Sequence, residues 1–400
     1  MALLSVADAL ALMLEDLAPL EAEQVAIAEA HGRVLAEDLT ARLTQPPFDA
    51  SAMDGYAVRA ADVVTLPATL KLVGVSAAGS GFGGALRPGE AVRIFTGAPV
   101  PAGADTIVIQ ENAQEQGDTV LVKEAAPGRH IRPRGQDFKK GERLLPAGTL
   151  LGAREVMLAA AMNHAELPVR RKPRIAILAT GDEVMPPGSE LGPDQIVASG
   201  GYGLAALVAA HGGAPMRLGI AKDERESIVA LAHTGAGADV LVTIGGASVG
   251  ERDLVTSALE GEGLRLAFAK LAMRPGKPVL YGRLGDQRVL GLPGNPVSVL
   301  VCAQVFLVPM LDRMLGLAKD ARPPLEAVLG EPLEENGPRA HYVRARSTWR
   351  EDGERVVHPL PSQDSSLMAA FARADCLIVR EPGARALPKG ARVRILLLSG

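Results

Sequence analysis

Apolar residues recur at helical spacing near the start of the chain. Val6, Leu10, Met13, Leu14 and Leu17 fall on one face, after Ser5 and Asp8 in capping-box spacing and before Pro19. The spacing predicts a helix there and a second one over 21–30 that stops at Gly32. Between about 43 and 141 the period changes. Short β-type runs at 56–58, 70–75, 91–95, 106–109 and 119–122 are separated by turn residues, which predicts a small all-β module. A helix returns at 153–162. The simplest economy packs it with the N-terminal helices, so that 1–42 and 142–172 form one discontinuous, helical-rich domain interrupted by the module 43–141.

After Pro173 the pattern alternates between continuous apolar strands and helices. Strands are expected at 175–178, 240–244, 279–281 and 289–290, and helices at 202–210, 224–232, 254–259 and from Val297 onward. Such alternation predicts a mainly parallel sheet covered on both faces, an α/β domain over 173–318. A linker ending in Pro323-Pro324 leads to β-type runs at 325–329, 342–346, 356–357, 376–379 and 393–398, a small all-β domain over 319–400. The fold class is therefore multidomain α+β around a central α/β domain.

Composition narrows the classes. With 44 glycines and 29 prolines in 400 residues, tight turns abound. A net charge of −4 supplies no positive field for nucleic acid, so an anionic ligand needs a local pocket. Cys302 and Cys376 lack metal-ligand spacing and fit buried thiols in a reducing compartment. The N-terminus has no signal-peptide pattern, and the most apolar stretch, 297–308, ends at Pro309, short of a bilayer. The expectation is a soluble, cytoplasmic protein without nucleic-acid or membrane partners.

Candidate chemistry clusters in five places. In Gln45-Pro46-Pro47-Phe48-Asp49-Ala50-Ser51-Ala52-Met53-Asp54-Gly55-Tyr56, prolines and Asp-Gly fix two carboxylates, although Asp-Gly is also common hairpin chemistry. Ligands of open α/β sheets bind beyond the carboxyl ends of the strands, which here carry three unusual loops: 179–183, 245–253 and 291–296. The loop with Gly245, Gly246 and Ser248 runs into a helix N-terminus and suits an anion, but it is neither a Walker A loop nor a dinucleotide fingerprint. Lys270, Arg274 and Lys277 lie in one short segment stiffened by Pro-Gly-Lys-Pro, which fits either a phosphate contact or a solvated edge strand. Asp182, Glu183, Asp223 and Asp253 sit on the same loops. Acids beside an anion site call for a bridging divalent cation, and hard oxygen donors suit Mg²⁺.

Taken together the motifs resemble one family, the molybdopterin molybdenumtransferases (MoeA, also the E domain of gephyrin). The resemblance rests on Pro46-Pro47-Phe48-Asp49 with Ser51-Ala52-Met53-Asp54-Gly55-Tyr56-Ala57, Arg93-Ile94-Phe95-Thr96-Gly97, Arg134-Gly135-Gln136-Asp137 and Thr180-Gly181-Asp182-Glu183. It continues through Gly245-Gly246-Ala247-Ser248-Val249-Gly250-Glu251, Pro275-Gly276-Lys277-Pro278 and Gly291-Leu292-Pro293-Gly294-Asn295-Pro296, in the family's order along nearly the whole chain. Arg274 stands where the family more often has lysine.

The resemblance implies a MogA-like central domain, a C-terminal β-barrel, and insertion of molybdenum from molybdate into adenylylated molybdopterin, with Mg²⁺, giving molybdenum cofactor and AMP. By position it assigns Asp54, Thr96, Asp137 and Glu183 to catalysis and Glu183, Asp223 and Asp253 to the metal. Gly245, Gly246, Ser248, Lys270, Arg274, Lys277, Pro293, Asn295, Arg344 and Ser365 go to substrate binding. It further implies a homodimer whose site is shared between subunits, a molybdopterin adenylyltransferase as donor, and molybdoenzyme maturation proteins as recipients. Two other readings stay open: adenylyltransfer, since the α/β segment alone resembles that enzyme, and a non-enzymatic scaffold of the gephyrin type.

Overall fold

The computed structural model describes residues 3–246, 254–318 and 325–398. At its centre a six-stranded sheet runs in the order Ala214–Ala221, Arg174–Thr180, Val240–Ile244, Gln287–Leu292, Leu280–Leu284, Leu264–Phe268. The first four strands are parallel and the last two antiparallel. All five residues of Val240–Ile244 are buried, as a strand covered on both faces requires. One face packs against Gly200–Ala210 and the helix that starts at Pro296, through Leu204, Val208, Val297 and Phe306. The other packs against Arg225–Thr234 and Leu254–Gly261, through Ile228, Ala232, Val255 and Leu259.

One strand here went unpredicted and one predicted end moves, each for an identifiable reason. Ala214–Ala221 was not legible as a strand because it contains Pro215 and Gly219, yet it is an edge strand, where a missing N–H is tolerated. Its register shifts between Ile177 and Leu178, and Gly219 takes φ +116°. The long helix does not stop at Pro309. It passes through a π-helical turn, Ala303–Leu307, and continues as Val308–Met314, so 296–314 is long and apolar enough to cross a bilayer. Burial replaces length as the argument against that role, since 72% of its apolar window lies inside the protein.

The N-terminal part departs further. Residues 21–30 form no helix: Ala22–Ala26 is a strand, paired antiparallel with Glu166–Arg170, followed by the 3₁₀ turn Ile27–Glu29. Pairing Val25 with Leu167 outweighs the helix-forming tendency of Ala, Glu and Gln. Nor does Val6–Leu14 pack with Ala153–Ala161. Ala9, Met13 and Leu17 join the core of the α/β sheet, and Arg313 Nε donates to the Leu17 carbonyl at 2.8 Å. The part expected to be helical-rich therefore carries one helix of its own, Ala153–Ala161, beside two small sheets. Those sheets join its two chain segments, 22–26 to 166–170 and 39–40 to 143–145.

Residues 55–58, 68–76, 90–94, 106–109, 113–116 and 119–122 build the separate β module, a six-stranded sheet with apolar clusters on both faces. In the C-terminal part, Ala340–Trp349, Arg355–Pro359, Leu325–Leu329, Arg392–Leu397 and Cys376–Arg380 close into a five-stranded barrel around Val343, Val357, Ile378 and Ile395. One join decides the position of the site. The two-residue strand Met273–Arg274, from the α/β domain, pairs in parallel with Ala340 and His341 of the barrel.

Candidate active site

In the β module, the turn before Gly55–Val58 is fixed by its own side chains. Ser51 Oγ donates to the Met53 carbonyl at 2.6 Å, and Gly55 lies so close to the Val108 carbonyl that a Cβ would overlap it. The Asp54 carboxylate then accepts from the Thr96 N–H at 2.7 Å and the Thr96 hydroxyl at 2.8 Å. The Thr96 N–H, its hydroxyl and nearby Arg93 together hold Asp54 below the usual carboxylate range against a small desolvation effect. Asp49 accepts from the Arg134 N–H at 2.7 Å, and Asp137, exposed, is tied back through its own N–H to the Gln45 carbonyl at 3.1 Å. This module thus presents acids at its surface in fixed directions.

At the carboxyl ends of the parallel strands, Thr180 leads into Gly181, whose φ of +137° turns the chain toward Asp182 and Glu183. The Asp223 N–H donates to the Asp182 carboxylate at 3.1 Å. Burial first, and then the charges of Asp182 and Glu183, push Asp223 above its ordinary range. These three acids repel one another, yet no three acid, histidine or cysteine side chains among the described residues are close enough to enclose a metal by themselves. Mg²⁺ commonly takes one or two carboxylates and completes its shell with water and substrate phosphate, so Glu183 and Asp223 fit it as a pair. Gly245 and Gly246 both adopt positive φ, and a Cβ at Gly245 would press on Thr180. Ser248 and Asp253 lie outside the described residues. Across from Gly245, Asn295 starts the 296–302 helix without a side-chain cap bond, and its Oδ1 is buried with no partner among the described residues.

A cavity of about 720 Å³ opens between the α/β loops and the barrel. Arg274, Lys277, Pro293 and Ser298 line it from one side, and Arg339, Gln363, Asp364 and Ser365 from the other. Behind the wall, Arg344 is 2% exposed. Its Nε donates to Gln363 Oε1 at 3.1 Å, while both terminal guanidinium nitrogens are buried with no partner among the described residues. Burial and the Arg274 charge lower its pKa, and Asp364 opposes them. The same excess of positive charge reaches His341, which burial, Arg274, Arg344, Arg339 and Arg380 pull down to about 4. A buried cation without a matching acid is costly, and an oxyanion with several acceptor atoms is the ligand that relieves it.

Three regions match known families: the MoeA N-terminal region (domain I and II) at 4–163, a probable molybdopterin binding domain at 176–313, and the MoeA C-terminal region (domain IV) at 326–398. A molybdopterin molybdenumtransferase of Nostoc sp. is 36% identical over 94% of this chain and 89% of its own. The chain belongs to the molybdopterin molybdenumtransferase family. The enzyme of that name from Haemophilus influenzae is 35% identical, covering 92% of each chain. The solved molybdopterin biosynthesis MoeA protein of Pyrococcus horikoshii superposes with a TM-score of 0.85 at 27% identity, covering 99% of this chain and all of its own.

Of the residues that the family's motifs single out, the structure brings Arg274, Lys277, Pro293 and Ser365 to one cavity, with Arg344 behind it. Glu183 and Asp223 meet at the strand ends, and Lys270 is exposed at the start of the cationic segment. No residue of 43–141 lines that cavity, so Asp54, Thr96 and Asp137 are not joined to it within one chain. Sequence reasoning missed Ser298, Arg339, Gln363 and Asp364. Arg339, one residue before the strand paired with 273–274, carried a charge signal, whereas neutral Gln363 carried none.

Proposed function

We propose that the protein inserts molybdenum into adenylylated molybdopterin, taking molybdate and releasing AMP and molybdenum cofactor. The observation that carries this reading is the buried guanidinium of Arg344, unmatched among the described residues, beside a cavity lined by Arg274, Lys277 and Ser365. Molybdate is a compact tetrahedral dianion, suited to converging guanidinium, ammonium and hydroxyl donors. As the pterin dithiolene takes up the metal, its two thiol protons leave with one molybdate oxo group as water. Arg274 and Lys277 hold the anion while that exchange occurs.

The Gly245-Gly246 turn with Ser248, the Asn295 helix start and Lys270 hold the pterin phosphate and adenylyl group. Glu183 and Asp223, with Asp253, would hold Mg²⁺, which would supply charge neutralisation at the phosphoanhydride; water cleaves that bond to give AMP and pterin phosphate. Asp54, Thr96 and Asp137 come from the second subunit of a homodimer. Donation of the intermediate by a molybdopterin adenylyltransferase, delivery to molybdoenzyme maturation proteins and a cytoplasmic setting complete the reading.

The test is AMP release from adenylylated molybdopterin. Molybdate should stimulate it with Mg²⁺ present, and chelation should abolish the stimulation. Formation of the adenylylated compound from ATP and molybdopterin, with no response to molybdate, would overturn insertion in favour of adenylyltransfer.

A further inference from the structure

Gln363 makes four hydrogen bonds, three of them to a single residue, Arg344. Its Oε1 accepts from the Arg344 main-chain N–H at 2.9 Å and from Arg344 Nε at 3.1 Å. Its Nε2 donates to the Arg344 carbonyl at 3.0 Å and to the Leu360 carbonyl at 3.1 Å. The Leu360 N–H donates in turn to the Arg344 carbonyl at 2.8 Å, so the loop that bears Gln363 is anchored to the same strand residue. Gln363 also lines the oxyanion cavity, with Asp364 and Ser365 next to it. One amide therefore joins the cavity wall to the buried arginine behind it.

The chemistry of that amide matters as much as its geometry. A guanidinium as buried as Arg344 is ordinarily paired with a carboxylate, because desolvation leaves a lone charge costly. Here the contact to Nε is neutral, and Asp364, the acid whose charge acts on Arg344, makes no hydrogen bond to it among the described residues: its Oδ1 accepts both the N–H and the hydroxyl of Ser366, each at 2.9 Å. Among the described residues the arginine is thus fixed in place without being neutralised, and its two terminal nitrogens keep all their donors.

We propose that Gln363 is a positioning residue for the oxyanion substrate, clasping Arg344 by backbone and Nε so that an uncompensated guanidinium stands ready beside the cavity. The assignment rests on the molybdate reading above. It goes beyond that reading by requiring a neutral hydrogen-bonding side chain at position 363.

The test measures AMP release by the full-length protein while molybdate and adenylylated molybdopterin are varied separately, in wild type, Gln363→Glu, Gln363→Ala and Arg344→Gln. Gln363→Glu keeps size and reach but places a negative charge on Nε. It also removes the two Nε2 bonds to the Arg344 and Leu360 carbonyls, so some loss of melting temperature is expected, but it should raise the KM for molybdate at least about ten-fold and leave the KM for the pterin substrate within about two-fold. Gln363→Ala frees the arginine without neutralising it and should raise the molybdate KM by less. The pterin KM separates charge from fold damage, since loss of structure alone raises both KM values together, and that outcome would overturn the assignment. If the glutamate variant does not fold, alanine decides alone: an unchanged molybdate KM overturns the proposal. Arg344→Gln distinguishes the two levels. If it leaves molybdate dependence intact, the oxyanion reading itself fails. If it abolishes that dependence while Gln363→Glu does not, only the role of Gln363 fails.

Discussion

Asp54 and Asp239 are both carboxylates held below their ordinary range, yet for different ends. Asp54 is partly exposed at a turn and its carboxylate bonds only Thr96 among the described residues, so removing that side chain takes away little that supports the fold. Asp54→Ala is expected to leave the melting temperature almost unchanged while lowering molybdate-dependent AMP release by roughly 10²-fold, the scale for one preorganised electrostatic group. Equal losses of stability and activity would return Asp54 to a turn-forming role. Asp239 is half-buried at the opposite end of the sheet. Burial raises its pKa, but the bidentate Arg171 pair at 2.7 and 2.8 Å and the Arg174 N–H outweigh that and lower it below 3.8. A lowered folded-state pKa contributes stability that is complete above 3.8 and lost as pH falls through the folded value. Acid unfolding followed by circular dichroism should therefore show a transition below pH 4 that is weakened in Asp239→Asn, with no change in its slope near neutrality.

At the scale of elements, the segment 271–278 shows how a loop is made rigid enough to hold cations. The Leu271 N–H donates to the Lys277 carbonyl at 3.0 Å, and Gly276 adopts φ +111° directly over the Cys302 sulfur of the underlying helix. A methyl group at Gly276 meets that sulfur and the Met273 side chain at a φ that L residues rarely adopt, so Gly276→Ala should cost about 2–4 kcal/mol and raise the molybdate KM. Lys277→Ala removes the exposed cation without disturbing the turn and should raise the KM with no shift in urea midpoint; a shift would make Lys277 structural. This loop was legible in the sequence because Pro-Gly-Lys-Pro and three nearby cations declare both stiffness and charge. So were the fully buried strands, whose apolar runs need no partner to be recognised. Elements whose form depends on a distant partner were not: 22–26 becomes a strand only against 166–170, and 214–221 only at the edge of 174–180. The cavity divides in the same way. Arg274 and Lys277 announce themselves by charge, whereas Gln363 and Ser298 gain meaning only because the 273–274 strand carries the α/β loop to the barrel.

At the scale of the whole molecule, the site's acids and cations are distributed over regions that one chain does not bring together. The oxyanion cavity draws on 274–298 and 339–365, and the fixed carboxylate of Asp54 lies in a module that contributes nothing to it. In the reaction proposed above both sets act together, and on that proposal a second copy supplies the module. Two-fold symmetry makes the consequence measurable. An Asp54→Ala chain retains an intact cavity, and a Lys277→Ala chain retains an intact module. In a mixed dimer one site receives both defects and the other receives neither. Assayed at molybdate well below the raised KM of the Lys277→Ala protein, where neither homodimer turns over appreciably, chains that are mixed, exchanged and reassembled at random should therefore regain about a quarter of wild-type AMP release, since half the dimers are mixed and half their sites are whole. A site built within one chain predicts a different outcome: each chain keeps its own defect, and mixing restores nothing. Native mass spectrometry of the same mixture checks that exchange took place, so an inactive mixture containing mixed dimers assigns Asp54 and the cavity to the same subunit.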